Sequence, residues 1–208
     1  MKDVLDIIGN VPVTTATIAS LYPEVSGVNQ KVSAMERSGK LLRLKKGLYV
    51  VNPVWSGRPI CMELVANHLY SPSYVSMVTA LRWYGLIPER VYLIQSISLK
   101  HSRDFRNDLG HFSYTRVDRD YFPIGLRHEE VDGVSFVIAS PEKALCDLIR
   151  FTPGLNLRYQ KEAIAYLEDD MRLDMDAVSE FDTGILRQCA QAGTKTRSIE
   201  TIIKLLEQ

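Results

Sequence analysis

No stretch of this 208-residue chain approaches the run of about 20 apolar residues that spans a bilayer. The opening, Met1-Lys2-Asp3-Val4-Leu5-Asp6, places acids where a secretory leader carries its apolar core, so no signal peptide is expected. Cysteine is scarce: Cys61, Cys146 and Cys189 are odd in number, far apart and without CxxC spacing. That argues against a disulfide framework and a zinc site, and suits buried thiols in a reducing cytoplasm. The chain has no Gly-rich phosphate loop, no GxSxG and no HExxH, so it lacks the signatures of P-loop, serine-hydrolase and zincin chemistry. Net charge is lacking too, with 25 basic and 25 acidic residues. The expectation is a cytoplasmic protein of one or two domains with no membrane partner, no cofactor, no metal and no catalytic residues.

What is present is an uneven distribution of charge. Residues 1–60 carry eight cations against four acids, a net +4, which leaves −4 for the remainder. Six of the eight fall between Lys31 and Lys46, with only Glu36 among them. A cluster this local is what phosphate binding needs.

The same segment has a readable order. Val4, Leu5, Ile7 and Ile8 form a short helical stripe that Gly9-Asn10 ends. Thr14 or Thr15 caps a second helix carrying Ile18 and Leu21. Ser26 is placed to cap a third, running to about Ser38, in which Val28, Val32 and Met35 make one buried face. Its other face carries Asn29, Gln30, Ser33 and Arg37. Amides there can pair with adenine edges in the major groove, and an Arg can take guanine or phosphate. Leu41 to Val51 then reads as a hairpin around Lys45-Lys46-Gly47. Helices followed by a basic hairpin are the plan of a winged helix-turn-helix. Lys31, Lys40, Arg43, Lys45 and Lys46 would supply its phosphate contacts, with the two lysines at the wing tip. A small protein-interaction module with a soluble turn is the plainer alternative.

Asn52 to Pro59 holds two prolines and a glycine without periodicity and reads as a linker. It separates a DNA-binding domain, 1–55, from a second domain, 60–208. In the second, helices are expected over Cys61–Tyr70 and Tyr74–Tyr84. Strands follow at Val91–Leu99, His111–Val117, Tyr121–Arg127 and Val134–Ile138, with a polar connection over Lys100–Asn107 and an Asp132-Gly133 turn. Ser140-Pro141-Glu142 opens a helix, and four more lie near Arg158–Glu168, Met175–Glu180, Thr183–Gln191 and Lys195–Glu207. The class is α+β, with helices flanking a mostly antiparallel sheet. Trp83, Tyr84, Tyr92, Phe112 and Tyr114 read as core aromatics. His101 and His111 could meet across a hairpin. Asp132, Glu142 and Lys143 imitate the acids and lysine of a metal-dependent nuclease, and this enzyme reading is the main alternative, beside a plain ligand-sensing regulator.

Two segments carry a resemblance. Leu42-Arg43-Leu44-Lys45-Lys46-Gly47-Leu48-Tyr49 and Ser140-Pro141-Glu142-Lys143-Ala144-Leu145-Cys146-Asp147-Leu148 resemble, in this order and separation, the AbiEi-type antitoxins of type IV toxin–antitoxin systems. The resemblance covers essentially the whole chain. It implies a winged domain that binds inverted repeats in its own promoter and represses its operon. It also implies a C-terminal domain that neutralises a nucleotidyltransferase-like toxin encoded beside it, without need of a stable complex.

Overall fold

The computed structural model describes residues 4–88 and 92–207; the expected strand start at Val91 lies outside them. The fold is mixed α+β. The N-terminal unit begins with α1 (Val4–Ile8), β1 (Val13–Thr14), α2 (Thr15–Ser20) and α3 (Val28–Arg37). The hairpin β2 (Leu41–Lys45) and β3 (Leu48–Val51) completes it. The three strands pair antiparallel in the order β1-β3-β2, with Val13 opposite Tyr49 and Leu42 opposite Val50.

Local chemistry explains most of these boundaries. Thr14 Oγ1 accepts the Thr17 N–H at 3.1 Å, so it is Thr14 that caps α2. Gly47, at φ +78°, supplies the left-handed residue that closes the hairpin. The expected cap at Ser26 does not form. Gly27, at φ +94°, takes the cap position of α3 with no side-chain bond.

The segment expected as a linker is instead ordered. It forms α4 (Pro53–Ser56), capped by Asn52, whose Oδ1 accepts the Val54 N–H at 3.0 Å and whose Nδ2 donates to the Gly39 carbonyl at 2.9 Å. Asn10 Nδ2 donates to the Pro59 carbonyl at 3.0 Å.

The second unit comprises α5 (Met62–Leu69), β4 (Ser73–Val75), α6 (Met77–Trp83), β5 (Leu93–Ser98), β6 (Arg103–Asn107) and β7 (Gly110–Arg116). After these come β8 (Leu126–Val131), β9 (Val134–Ala139) and α7 (Pro141–Phe151). The chain ends with α8 (Gln160–Ala165), a π-helical turn (Tyr166–Asp170), α9 (Met175–Ser179), α10 (Thr183–Ala192) and α11 (Thr196–Leu206). Its six strands run in the order β6-β7-β5-β4-β9-β8. The sheet is mixed rather than mostly antiparallel, because β5 pairs parallel with β7, and β4 with β9.

Three expectations fail here for identifiable reasons. Tyr74–Tyr84 is not one helix: Tyr74 and Val75 are wholly buried in β4, between β5 and β9, and the helix starts at Met77. The polar connection over Lys100–Asn107 contains β6, an edge strand hairpinned to β7 in which only Phe105 is apolar. Residues 121–125 are turns, and the strand expected at Tyr121 begins at Leu126. Phe112 and Tyr114 are core residues as expected, whereas Tyr92 stands in solvent.

The hydrophobic interior decides how the two units relate. A small cluster holds Leu5, Ile8, Val13, Ile18, Val32, Leu41, Tyr49 and Val51. The large cluster of the second unit includes Leu44, Leu48 and Val50. Along β3 the side chains therefore alternate between two cores, and all four are buried. The hairpin is a wall shared by both units.

Candidate nucleic-acid interface

On α3 the apolar residues Val28, Val32 and Met35 turn toward the small core. The 3.6-residue period then leaves Asn29, Gln30, Ser33 and Arg37 exposed on the far side. These four line one open depression of about 460 Å³. Arg37 Nε donates to the Ser33 carbonyl at 3.3 Å, which holds its guanidinium along the helix face.

The cations are placed less uniformly. Lys46 is exposed beside Gly47 in the hairpin turn. Arg43 is exposed and lies 3.8 Å from Glu36, an ion pair that water screens. Lys31 lies with its ammonium 4.0 Å from the centroid of Tyr22, and Lys40 is 4.7 Å from that of Trp55. Each ring holds its cation close to the unit's surface.

Lys45 departs from the wing-tip role expected of it. Its ammonium turns toward the second unit and donates to the Leu69 carbonyl at 2.6 Å. Burial, and then the charges of Lys100 and Arg103, push its pKa below the ordinary lysine value. The bulge between Arg43 and Lys45 breaks the strand's alternation just before this side chain. Asn107 reinforces the junction, donating from Nδ2 to the Leu44 carbonyl at 3.1 Å.

Lys45 thereby reveals cations that sequence reasoning passed over. Lys100, Arg103 and Arg106 are exposed along the edge strand β6 and the turn before it. The signal lay in their spacing within Lys100-His101-Ser102-Arg103-Asp104-Phe105-Arg106, hidden because the second unit as a whole is acidic.

The residues of the nuclease alternative do not converge. Asp132 sits in the exposed β8–β9 turn, while Glu142 and Lys143 open α7 at the opposite end of β9. A six-residue strand, roughly 20 Å long, separates them. Glu142 Oε1 accepts the Asp182 N–H at 3.2 Å, and Lys143 is fully buried. His101 and His111 do not meet either: His111 pairs with Arg106 across the hairpin and lies 3.7 Å from Asp104. Among the described residues no group of three or more His, Cys, Asp or Glu could hold a metal ion. Among them, too, no helix is long and apolar enough to cross a membrane.

The Ser140–Leu148 segment forms a buried clamp. Ser140 Oγ accepts the Lys143 N–H at 3.3 Å, and Ser140 N–H donates to the Gly125 carbonyl at 2.7 Å. A Cβ on Gly125 would lie 2.9 Å from Lys143 Cβ, so the loop can approach only as glycine. Lys143 Nζ donates to the Tyr121 carbonyl at 3.0 Å and stands 3.5 Å from Asp147 Oδ1. Asp147 Oδ2 accepts from Ser76 Oγ at 2.6 Å and Tyr74 Oη at 3.1 Å. Burial, then the Asp147 charge, push the Tyr74 phenol well above its usual pKa.

Compared with known proteins, the chain matches no family model and no curated protein.

Proposed function

We propose that the chain is a regulator that binds double-stranded DNA through its N-terminal unit, acting as a winged helix-turn-helix. The observation that carries this reading is the α3 face. Asn29, Gln30, Ser33 and Arg37 stand together, exposed, on the outward side of a helix whose inward side is core. Such a helix, laid in the major groove, would present amides and a guanidinium to base edges. Arg43 and Lys46 flank it for backbone phosphates, with Lys100, Arg103 and Arg106 as a further basic stretch beyond the hairpin.

The test is fluorescence anisotropy with a duplex from the chain's own promoter and a random-sequence duplex, at two salt concentrations. Affinity should fall steeply with salt, because each neutralised phosphate releases a counterion. Asn29→Ala and Gln30→Ala should narrow the preference for promoter over random DNA, each by about 1–3 kcal/mol. Equal affinity at both salt concentrations would overturn the reading.

The two hairpin lysines separate contact from support. Lys46→Ala should weaken both duplexes about equally with unfolding unchanged. Lys45→Ala should lower the urea midpoint, because it leaves the Leu69 carbonyl without its donor. A Lys45→Ala protein of unchanged stability but weakened DNA affinity would return Lys45 to the contact surface.

The antitoxin role, with a nucleotidyltransferase-like toxin as functional partner, is part of the same proposal and is supported by the sequence resemblance alone. Its test is colony survival with the neighbouring toxin induced. The full chain carrying Gln30→Ala should still rescue, since that side chain lies on the DNA face. No rescue by the unmodified chain would leave a regulator without the antitoxin role.

A further inference from the structure

The junction between the hairpin and the edge strand β6 gathers cations of both units in one place. Lys45 is near enough to Lys100 and Arg103 for their charges to disfavour its own. Lys100 and Arg103 are exposed, yet both are held against aromatic rings. The Lys100 ammonium lies 5.3 Å from the Tyr70 ring centroid, and the Arg103 guanidinium 4.8 Å from that of Phe105. The two rings stand 5.5 Å apart, and both pack against Tyr114, which is buried and donates from Oη to the Ala66 carbonyl at 2.7 Å. Tyr70 Oη donates to the His101 carbonyl at 3.2 Å and so fixes the turn between the two cations. No carboxylate offsets them: among the described residues neither Lys100 nor Arg103 forms an ion pair. Asp104 stands on the opposite face of β6 from Arg103 and lies 3.7 Å from His111. Arg106 alternates onto that same opposite face. Like charges held together without an acid repel, so folding gains nothing from their grouping, and an anion set between them turns the repulsion into attraction.

We infer that Lys100 and Arg103 form a phosphate-binding site of the second unit, which takes the backbone of the same duplex that α3 reads. The inference rests on the DNA reading of the N-terminal unit and extends its footprint across the junction. The guanidinium suits a phosphate because it can give two parallel hydrogen bonds, and the ammonium adds a point charge. The rings hold both cations in place beforehand, so little side-chain freedom is lost on binding. Lys45 positions the site rather than touching DNA: its bond to the Leu69 carbonyl ties the hairpin to the residue beside Tyr70. Lys46 follows it in the exposed turn, so the site adjoins the charge of the wing. Residues 61–208 carry a net −4 and repel DNA in general. A local reversal of sign at β6 keeps this unit docked beside the duplex.

The experiment uses the full chain carrying Lys100→Gln and Arg103→Gln together, which removes the charge and keeps a stem on each ring. The control is Lys161→Gln with Lys204→Gln, an equal loss of charge at exposed positions on α8 and α11. Anisotropy is measured with the promoter and random-sequence duplexes over a range of salt. The β6 variant should bind both duplexes more weakly, with the plot of log affinity against log salt shallower by about two. Its preference for promoter over random DNA should be unchanged, because phosphates carry no sequence. The control should keep the slope of the unmodified chain. The urea midpoint of the β6 variant should not fall, since a repulsion has been removed. An unmodified chain that binds neither duplex would sink the DNA reading and this site with it. Steep salt dependence in the unmodified chain, with the same slope in the β6 variant, would overturn the site and leave the DNA reading standing. A changed promoter preference would make these base contacts, and a lowered urea midpoint would assign the cations to folding; either overturns the inference. So would inorganic phosphate raising the midpoint of the unmodified chain while the β6 variant keeps full duplex affinity, which would mark a site for free anions.

Discussion

Asp147→Asn is expected to destabilise the chain by about 3–5 kcal/mol, the usual cost of removing one partner from a buried ion pair. Lys143 and Asp147 face each other one turn apart on α7, both without solvent exposure. Asparagine keeps the size of the side chain and can still accept from Ser76 and Tyr74. What it removes is the charge opposite the Lys143 ammonium. Burial already depresses the Lys143 pKa, and Asp147 is the main influence holding it up. In the variant the folded-state pKa therefore falls further below the ordinary 10.5. Below that folded value the cost of a buried cation is fully present. As pH rises toward 10.5, the folded chain binds fewer protons than the unfolded chain, and stability recovers by about 1.4 kcal/mol per pH unit. The gap between the two proteins, measured by urea unfolding, should thus narrow as pH is raised toward 10.5. A gap that is constant with pH would assign the loss to hydrogen bonding alone. A gap under about 1 kcal/mol would remove the clamp from the account of stability.

What could be read from the sequence is what neighbours along the chain decide. The Val28, Val32 and Met35 stripe orients α3 without help from elsewhere, and with it the exposed Asn29, Gln30, Ser33 and Arg37. Ser140 and Pro141 start α7 by capping chemistry confined to one turn. Gly47 and the Asp132-Gly133 pair adopt the positive φ their hairpins require. What could not be read depends on distant partners. The edge strand β6 has water along one side, so its polar residues conceal it. The central strand β4 is only three residues long and runs into an apolar helix, leaving no period to detect. Lys45 looked like a wing tip because its acceptor, the Leu69 carbonyl, lies 24 residues away. The run Leu48-Tyr49-Val50-Val51 did carry a signal: four consecutive apolar residues suit a strand buried on both faces. Only the structure shows that the second face belongs to the other unit.

A fragment beginning at Ile60 is accordingly expected to be insoluble or only partly folded, despite the prolines and glycine just before it. Cutting there removes Leu44, Leu48 and Val50 from the large core, each fully or almost fully buried. Burying a side chain of this kind contributes about 1.5–3 kcal/mol. Three of them together approach the whole 5–15 kcal/mol that holds a typical domain folded. The same cut removes the Lys45 donor from the Leu69 carbonyl and leaves Asn107 without the Leu44 carbonyl. Moving the cut to Lys40 does not help, since the retained hairpin would then expose Leu41, Tyr49 and Val51 on its other face. The hairpin cannot be assigned to either half without stripping the other. Expression of 60–208 beside the full chain, followed by urea unfolding of any soluble material, measures this directly. Leu48→Ala in the full chain provides the milder version, with an expected cost of about 2–5 kcal/mol. A soluble 60–208 fragment with a sharp transition at the full chain's midpoint would show that the shared wall is dispensable. If the fragment fails as expected, the activities of the two units must be separated by point substitutions such as Gln30→Ala. A strain placed on the hairpin by a bound duplex would then be felt directly in the core of the second unit.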